Sequence, residues 1–313
     1  MTIDSRIYAQ MSTLVALRHK AKGFSFLPSQ PVGGVLSGRN RSKLRGRGLD
    51  FEELRHYRQG DDIRALDWRV TKRTKKPHIR VYNEEREHSV LLLIDQRMSM
   101  FFGSKNKMKS VVASEVAALC AWQVLSTGDR IGAVVFNDDE AVEIKPRRSE
   151  RGVMQILHQT VKMNNALIAS YKVNSNNDQL NVALQKASEL CRHDALIILI
   201  SDLQGWDDNT VKYIKRLSGH NDFIVPFVHD TLEKELPPQQ RLVVSDGFNQ
   251  IAVDSGYKGL QQDFESDFTS NISYLQGELK KYAVPVIEIN TDVPIVDQIL
   301  LSLGQARKRD PHD

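Results

Sequence analysis

The sequence predicts an α/β protein: a mostly parallel sheet with helices on both faces, preceded by a basic N-terminal segment. Two continuous apolar runs of strand length, His88–Asp95 and Ala195–Ile200, have the pattern of strands buried on both faces. Each runs into a polar segment that carries a carboxylate, Asp95 in one and Asp202 in the other. Segments of ten or more residues with helical spacing alternate with the strands, and that alternation requires crossover connections and parallel pairing.

After the first strand, apolar positions at Val111, Val112, Val116, Ala118 and Leu119 predict a helix from about Lys107 to Leu125, ended by Thr127-Gly128-Asp129. Ile131–Phe136 and Ala141–Ile144 flank the turn residues Asn137-Asp138-Asp139-Glu140 and read as a hairpin. Helices follow over Gly152–Met163 and Leu180–Cys191, the second preceded by the loop Asn174–Asp178. After the strand Ala195–Ile200 come a helix, Asp208–Ser218, and a strand, Asp222–Val228. Leu242–Val244 and Gln250–Val253 form a hairpin around Asp246-Gly247. A long helix over Gln261–Tyr282, a strand over Val284–Ile289 and a helix from Val293 to about Leu303 complete the body.

This pattern divides the chain into an N-terminal appendage (1–86), an α/β domain (87–305) and a tail (306–313). The appendage begins with an apolar helix over Tyr8–Leu17 and continues through a stretch rich in Gly, Pro and Ser into basic extended sequence. Charge divides the same way. Residues 1–86 hold 19 Lys and Arg against 9 Asp and Glu, whereas 87–313 hold 24 against 30. Either the two parts attract each other, or the front faces an acidic partner.

With 41% apolar and 26% charged residues, the composition is that of a soluble globular protein. The longest uninterrupted apolar runs are strand-sized, well short of the roughly 18 residues that cross a bilayer. The N-terminus lacks signal-peptide architecture, so no membrane span and a cytoplasmic location are expected. Cys120 and Cys191 lie far apart inside helical patterns and read as buried apolar residues, without metal-ligand spacing.

In doubly wound sheets, ligands sit at the C-terminal strand ends. There Asp95-Gln96-Arg97-Met98-Ser99 follows a buried strand and resembles the metal-ion-dependent adhesion site of von Willebrand factor A domains, written Asp-x-Ser-x-Ser. The resemblance implies a Rossmannoid, von Willebrand factor A-like fold. It also implies a site that binds protein partners through Mg²⁺, with a partner carboxylate completing the oxygen shell. Asp95 and Ser99 match the first and last motif positions, and Asp202 matches the family's later aspartate. The middle serine is replaced by Arg97, and the family's threonine position falls on Asp178. Two arrangements are open. In one, Arg97 turns inward and takes the cation's place among Asp95, Asp178 and Asp202, and no cofactor is needed. In the other, Arg97 points outward and Mg²⁺ is held by Asp95, Ser99 and Asp202, with Asp178 as a further ligand.

A second motif lies upstream: Arg55, Tyr57, Gly60, Asp61, Asp62, Arg64, Asp67 and Trp68 fall in the order Arg-x-Tyr-x-x-Gly-Asp-Asp-x-Arg-x-x-Asp-Trp. With it the chain resembles the MoxR-associated family known as domain of unknown function 58. The resemblance implies an adaptor for a MoxR-type AAA+ ATPase in remodelling or maturing protein complexes, with a client or sister A-domain protein as a further partner. The run also has a structural reading, in which the arginines pair with the aspartates while Tyr57 and Trp68 pack over the body.

Other function classes find less support. Arg39, Arg41, Lys43, Arg45 and Arg47 would form a one-sided stripe if extended, and Lys72-Arg73-Thr74-Lys75-Lys76 adds charge, but aromatic residues are not interleaved as stacking on nucleic acid requires. The nine histidines form no zinc-protease pair, and neither a nucleophile elbow nor a Walker loop is present. The glycine-rich Val32–Gly38 lacks the lysine of a phosphate cradle. A metal-dependent hydrolase is the remaining enzymatic alternative, and a non-catalytic adaptor is the expectation.

Overall fold

The computed structural model describes residues 4–21, 49–58, 61, 63–84, 89–168, 176–237, 241–245, 250–254 and 258–302. They form two compact units, one within 37–87 and the other from the residues on either side of it. The stretch read as a single appendage is therefore divided, and residues 4–21 belong to the body.

In the smaller unit, β1 (Leu49–His56) pairs antiparallel with β2 (His78–Glu84), and α2 (Trp68–Thr74) lies between them in sequence. In the body, α1 (Met11–Ala16) precedes the strands β3 (Ser89–Asp95), β4 (Arg130–Phe136), β5 (Ala141–Arg147), β6 (Ala195–Ile200), β7 (Asp222–His229) and β10 (Val286–Asn290). A separate antiparallel hairpin joins β8 (Arg241–Ser245) to β9 (Gln250–Asp254). The helices are α3 (Lys109–Thr127), α4 (Glu150–Asn165), α5 (Asp178–Leu190), α6 (Asp208–Ser218), the short α7 (Thr231–Lys234), α8 (Lys258–Lys280) and α9 (Ile295–Ser302).

The main sheet has the order β10-β7-β6-β3-β4-β5 and is parallel except for β5. Counted along the body this is 3-2-1-4-5-6, the doubly wound order, with its switch point between β3 and β6. The α/β class expected from the sequence, a mostly parallel sheet with helices on both faces, is the class observed. Strand alternation fills both faces. Val90, Leu92 and Ile94 of β3 join the core under α3, α4 and α9, whereas Leu91 and Leu93 join the core under α5, α6 and α8.

Helix α3 is buried nearly all round because α1 and α4 pack on the sides the sheet does not reach. Among the described residues it is the one helix long and apolar enough to cross a membrane, and 78% of that stretch is buried inside the protein. Its Trp122 indole donates to the Leu14 carbonyl (3.0 Å), and the Arg18 guanidinium lies over the same ring. Gly128, at φ +86°, ends the helix in the left-handed conformation that releases the chain into β4.

Candidate functional site

Five parallel strands end at one edge of the sheet, and each brings a carboxylate there: Asp95 at the end of β3, Asp138 after β4, Asp202 after β6, Asp230 after β7 and Asp292 after β10. Asp95, the last residue of β3, is completely buried. Arg97 turns inward against it, 1% exposed, with Nη2 donating to Asp95 Oδ2 (2.7 Å) and Nε to Oδ1 (3.0 Å). The Arg97 backbone N–H adds a third bond to Oδ1 (3.0 Å), and the Ser201 hydroxyl donates to Oδ2 (2.6 Å). Across the switch point, Arg97 Nη1 donates to the Gln204 carbonyl (3.1 Å), and Nη2 lies 3.9 Å from Asp202 Oδ1. The guanidinium also lies over the Phe136 ring. Burial alone would lower the Arg97 pKa, but Asp95, then Asp202 and Asp138, outweigh it and hold the group above its ordinary value.

Asp202 has a second cation. Lys109, first residue of α3 and 2% exposed, donates to Asp202 Oδ2 (2.9 Å) and to Glu233 Oε1 (2.6 Å). A lysine at a helix N-terminus faces the positive end of the helix dipole, so it needs such partners. Burial works against its charge, but Asp202 and Glu233 prevail and raise its pKa. Burial would raise the Asp202 carboxyl, whereas Lys109 and the Gln204 backbone N–H bring it below its ordinary range. The Ser99 hydroxyl completes Asp202 at Oδ1 (3.3 Å). Leu203 holds the loop in a left-handed conformation (φ 55°), fixed by its buried side chain and by a bond from its N–H to the Ser201 hydroxyl (2.9 Å).

The structure thus brings together Asp95, Arg97, Ser99 and Asp202. It does not bring in Asp178. That residue is exposed at the start of α5, where its backbone N–H donates to Asn176 Oδ1 (3.1 Å), and among the described residues its side chain makes no hydrogen bond to Arg97. The nearby carboxylate is instead Asp138, which accepts from the N–H groups of Met98 (2.6 Å) and Asn176 (2.9 Å) and so ties the loop after β3 to the approach to α5.

Sequence reasoning missed Lys109, Asp138, Asp230 and Gln96. The signal for Lys109 was two lysines, Lys107 and Lys109, heading an otherwise apolar helix. For Asp230 it was the same strand-then-aspartate pattern that marked Asp95. Gln96 is buried, donates to the Ser110 carbonyl (3.1 Å) and accepts from Asn164 (2.9 Å), whose own carbonyl accepts from the Ala9 N–H (2.7 Å). That relay joins the N-terminal segment to the site loop.

A divalent ion needs oxygen ligands free to turn toward it. Here both oxygens of Asp95 and both of Asp202 are taken by nitrogen and hydroxyl donors, two of them buried cations. Among the described residues no three carboxylate, imidazole or thiolate side chains are gathered so as to hold an ion. The residues present do not fit Mg²⁺.

In the smaller unit, Arg55 grips Asp61 with both terminal nitrogens (2.8 and 2.9 Å), and Asp61 also accepts from the Arg58 N–H (2.7 Å). Asp67 caps α2 by accepting from the N–H groups of Arg69 (3.0 Å) and Val70 (3.1 Å). Tyr57 is half-buried, its N–H bonded to the Pro77 carbonyl (2.9 Å), and Arg64 is exposed. Trp68 is 69% exposed, on a helix that also carries Arg69, Lys72 and Arg73. Gly60, Asp62 and the stripe from Arg39 to Arg47 lie outside the described residues.

The family described as "Protein of unknown function DUF58" matches residues 53–272 of the chain. Uncharacterized proteins of Mycobacterium tuberculosis (strain ATCC 25618 / H37Rv) and Mycobacterium bovis (strain ATCC BAA-935 / AF2122/97) are each 24% identical over 280 residues, spanning 89% of this chain and 86% of their own. Among solved structures, the chain is similar to conserved hypothetical protein BatB from Bacteroides thetaiotaomicron, at 12% identity and a TM-score of 0.39, covering 70% of this chain and 100% of that one. It is also similar to an aerotolerance-related membrane protein from Bacteroides fragilis NCTC 9343, at 15% identity and a TM-score of 0.42, covering 70% and 97%.

Proposed function

We propose that this chain, which belongs to the family described as "Protein of unknown function DUF58", is a non-catalytic interaction module whose docking face is the C-terminal edge of its parallel sheet. The observation that carries this reading is that the edge loops are bonded to one another rather than left open. Arg97 joins the loop after β3 to the Gln204 carbonyl. The Ser104 N–H donates to Asp230 (3.0 Å), the Asn106 amide to the Asp292 carbonyl (2.9 Å), and the Thr231 hydroxyl to Asp292 (2.6 Å). Phe102 and Val293 stand exposed on two of these loops. A pre-ordered platform with apolar side chains at its surface suits protein docking, since little ordering entropy remains to oppose association.

The partner we favour is a MoxR-type AAA+ ATPase, on the likeness of the Arg55–Trp68 motif, with a client or sister A-domain protein as the other end of the bridge. The reading is a cytoplasmic one, since the partner consumes ATP. It is tested by capturing partners from the protein's own cell lysate with ATP and identifying them by mass spectrometry, with wild type beside Phe102→Asp and Val293→Asp. An AAA+ ATPase retained by wild type and lost from variants of unchanged Tm is the expected result. An ATPase retained equally by all three, or none retained, overturns the reading.

One observation favours a second reading. Trp68, exposed among Arg69, Lys72 and Arg73, supplies the aromatic surface that the basic stripe lacks, and stacking beside cations is how single-stranded nucleic acid is held. Binding to oligonucleotides of any sequence that collapses between low and moderate salt, and weakens in Trp68→Ala, would favour it over the platform.

A further inference from the structure

We infer that Arg97 and Lys109 together replace a divalent cation, so that the strand edge is a permanently closed, metal-independent platform. Side-chain oxygens at the strand edge are gathered around these two cations rather than around a single point. Carboxylates from Asp95, Asp202 and Glu233 and hydroxyls from Ser99 and Ser201 come from the loops after β3, β6 and β7. Into this set the protein inserts two unit positive charges, the charge of one divalent ion.

The two cations divide the oxygens between them. Arg97 takes both oxygens of Asp95 and lies 3.9 Å from Asp202 Oδ1, while Lys109 takes Asp202 Oδ2 and Glu233 Oε1. Asp202 is the carboxylate shared by both. Both side chains are almost completely buried, so they are fixtures of the core rather than surface charges that an ion could push aside. Their origins differ, one in the loop after β3 and the other at the head of α3, and between them they hold the loops after β6 and β7 in place.

A consequence follows for docking, and it rests on the platform reading above. In a metal-bridged site, the partner offers a carboxylate to an ion that lacks a ligand. Here no ion is left to complete, and Arg97 is 1% exposed, so the partner is recognised by surface shape and apolar contact around Phe102 and Val293.

The test is thermal unfolding of the full chain in EDTA, Mg²⁺ and Mn²⁺, with Mn²⁺ binding followed directly by electron paramagnetic resonance. Wild type is compared with Arg97→Ser, which removes one cation and restores a hydroxyl, and with Lys109→Ser. Expected is a wild-type Tm that is the same in all three solutions, and a Tm of Arg97→Ser that rises with Mn²⁺ concentration. Should Arg97→Ser not fold, Lys109→Ser gives the same readout. A wild-type Tm raised by Mn²⁺ and returned to baseline by Ser99→Ala overturns the inference. So does a folded Arg97→Ser as indifferent to Mn²⁺ as wild type, because the guanidinium would then not be what keeps an ion out. Partner capture plays no part in this readout. An ion found here would leave docking intact as a metal-bridged event, and a failed capture would leave the ion result standing.

Discussion

The Lys109 ammonium lies 2.9 Å from Asp202 Oδ2, joining the first residue of the central apolar helix to the loop after β6. The pair lies at the topological switch point, where the strand order reverses and the backbone leaves a crevice. A buried carboxylate there must be protonated, bind an ion or be paired with a cation of the fold, and for Asp202 that cation is Lys109.

That neutralisation fixes a pH dependence. Asp202 titrates below its ordinary value of 3.8 in the folded protein, so the unfolded chain binds the proton more readily. The stability it contributes is complete above 3.8 and is lost as pH falls through the lower folded value. In Tm measurements between about pH 5 and pH 1, wild type should lose stability more steeply than Asp202→Asn. Parallel curves would show that the carboxylate is not coupled to folding.

Arg97 and Asp95 form the more enclosed of the two ion pairs, at 1% and 0% side-chain exposure. Removing one member leaves the other charged and dry. Arg97→Met should therefore destabilise the protein by about 3–5 kcal/mol in urea unfolding. Replacing both at once, as Asp95→Leu with Arg97→Met, should restore a large part of the loss, because the desolvation cost leaves with the charges. A double variant as unstable as the sum of the singles would mean that the pair contributes through its other partners, Ser201 and the Gln204 carbonyl.

The N-terminal segment is a covering layer of the body. Leu14 is buried against α3, and its carbonyl receives the Trp122 indole N–H. Leu14→Ala should cost about 2–5 kcal/mol, the range for a buried leucine whose cavity does not collapse. Unfolding monitored by circular dichroism would check this; a loss under about 0.5 kcal/mol would be that of a surface position.

The sheet was legible in the sequence because doubly buried strands leave unbroken apolar runs, and β3 and β6 do so without ambiguity. The hairpin partners β4 and β5 were legible through their turn residues. Two features were hidden for different reasons. The N-terminal segment looked like part of the basic appendage because charge is counted along the chain, whereas packing against α3 is a matter of the third dimension. Asp178 was assigned to the site by counting loop residues. The described structure has Asp138 beside Arg97 instead, from the turn after β4, a neighbour in space with no fixed sequence spacing to Asp95. Lys109 was concealed by its position, since a lysine at the start of a helix usually reads as a solvated end.

His229 ends β7, buried between Phe227 and Phe268, and among the described residues its Nδ1 has no hydrogen-bond partner. Burial holds its pKa below the ordinary 6.5, against the opposing influence of Glu288 and Glu233. The folded state therefore binds this proton less readily than the unfolded chain, and stability falls as pH drops below 6.5. His229→Phe, which extends the surrounding aromatic cluster, should remove that slope between about pH 7.5 and pH 5.5. A slope unchanged in the variant would place its origin at another group.

Trp68 and Trp122 make opposite predictions. Trp122 is 2% exposed with its indole N–H bonded, and Trp122→Ala should cost about 3–5 kcal/mol, as removal of a buried aromatic does. Trp68 opens α2 at 69% exposure, and the cap that starts the helix comes from Asp67. Trp68→Ala should therefore change stability by less than about 0.5 kcal/mol, while removing the component of tryptophan emission most readily quenched by acrylamide. Asp67→Ala at the neighbouring position should cost about 1 kcal/mol through the lost cap. If Trp68→Ala instead unfolds the protein, the side chain is a packing element. If it leaves the fold intact, a large aromatic face among Arg69, Lys72 and Arg73 is a surface held ready for contact with another molecule.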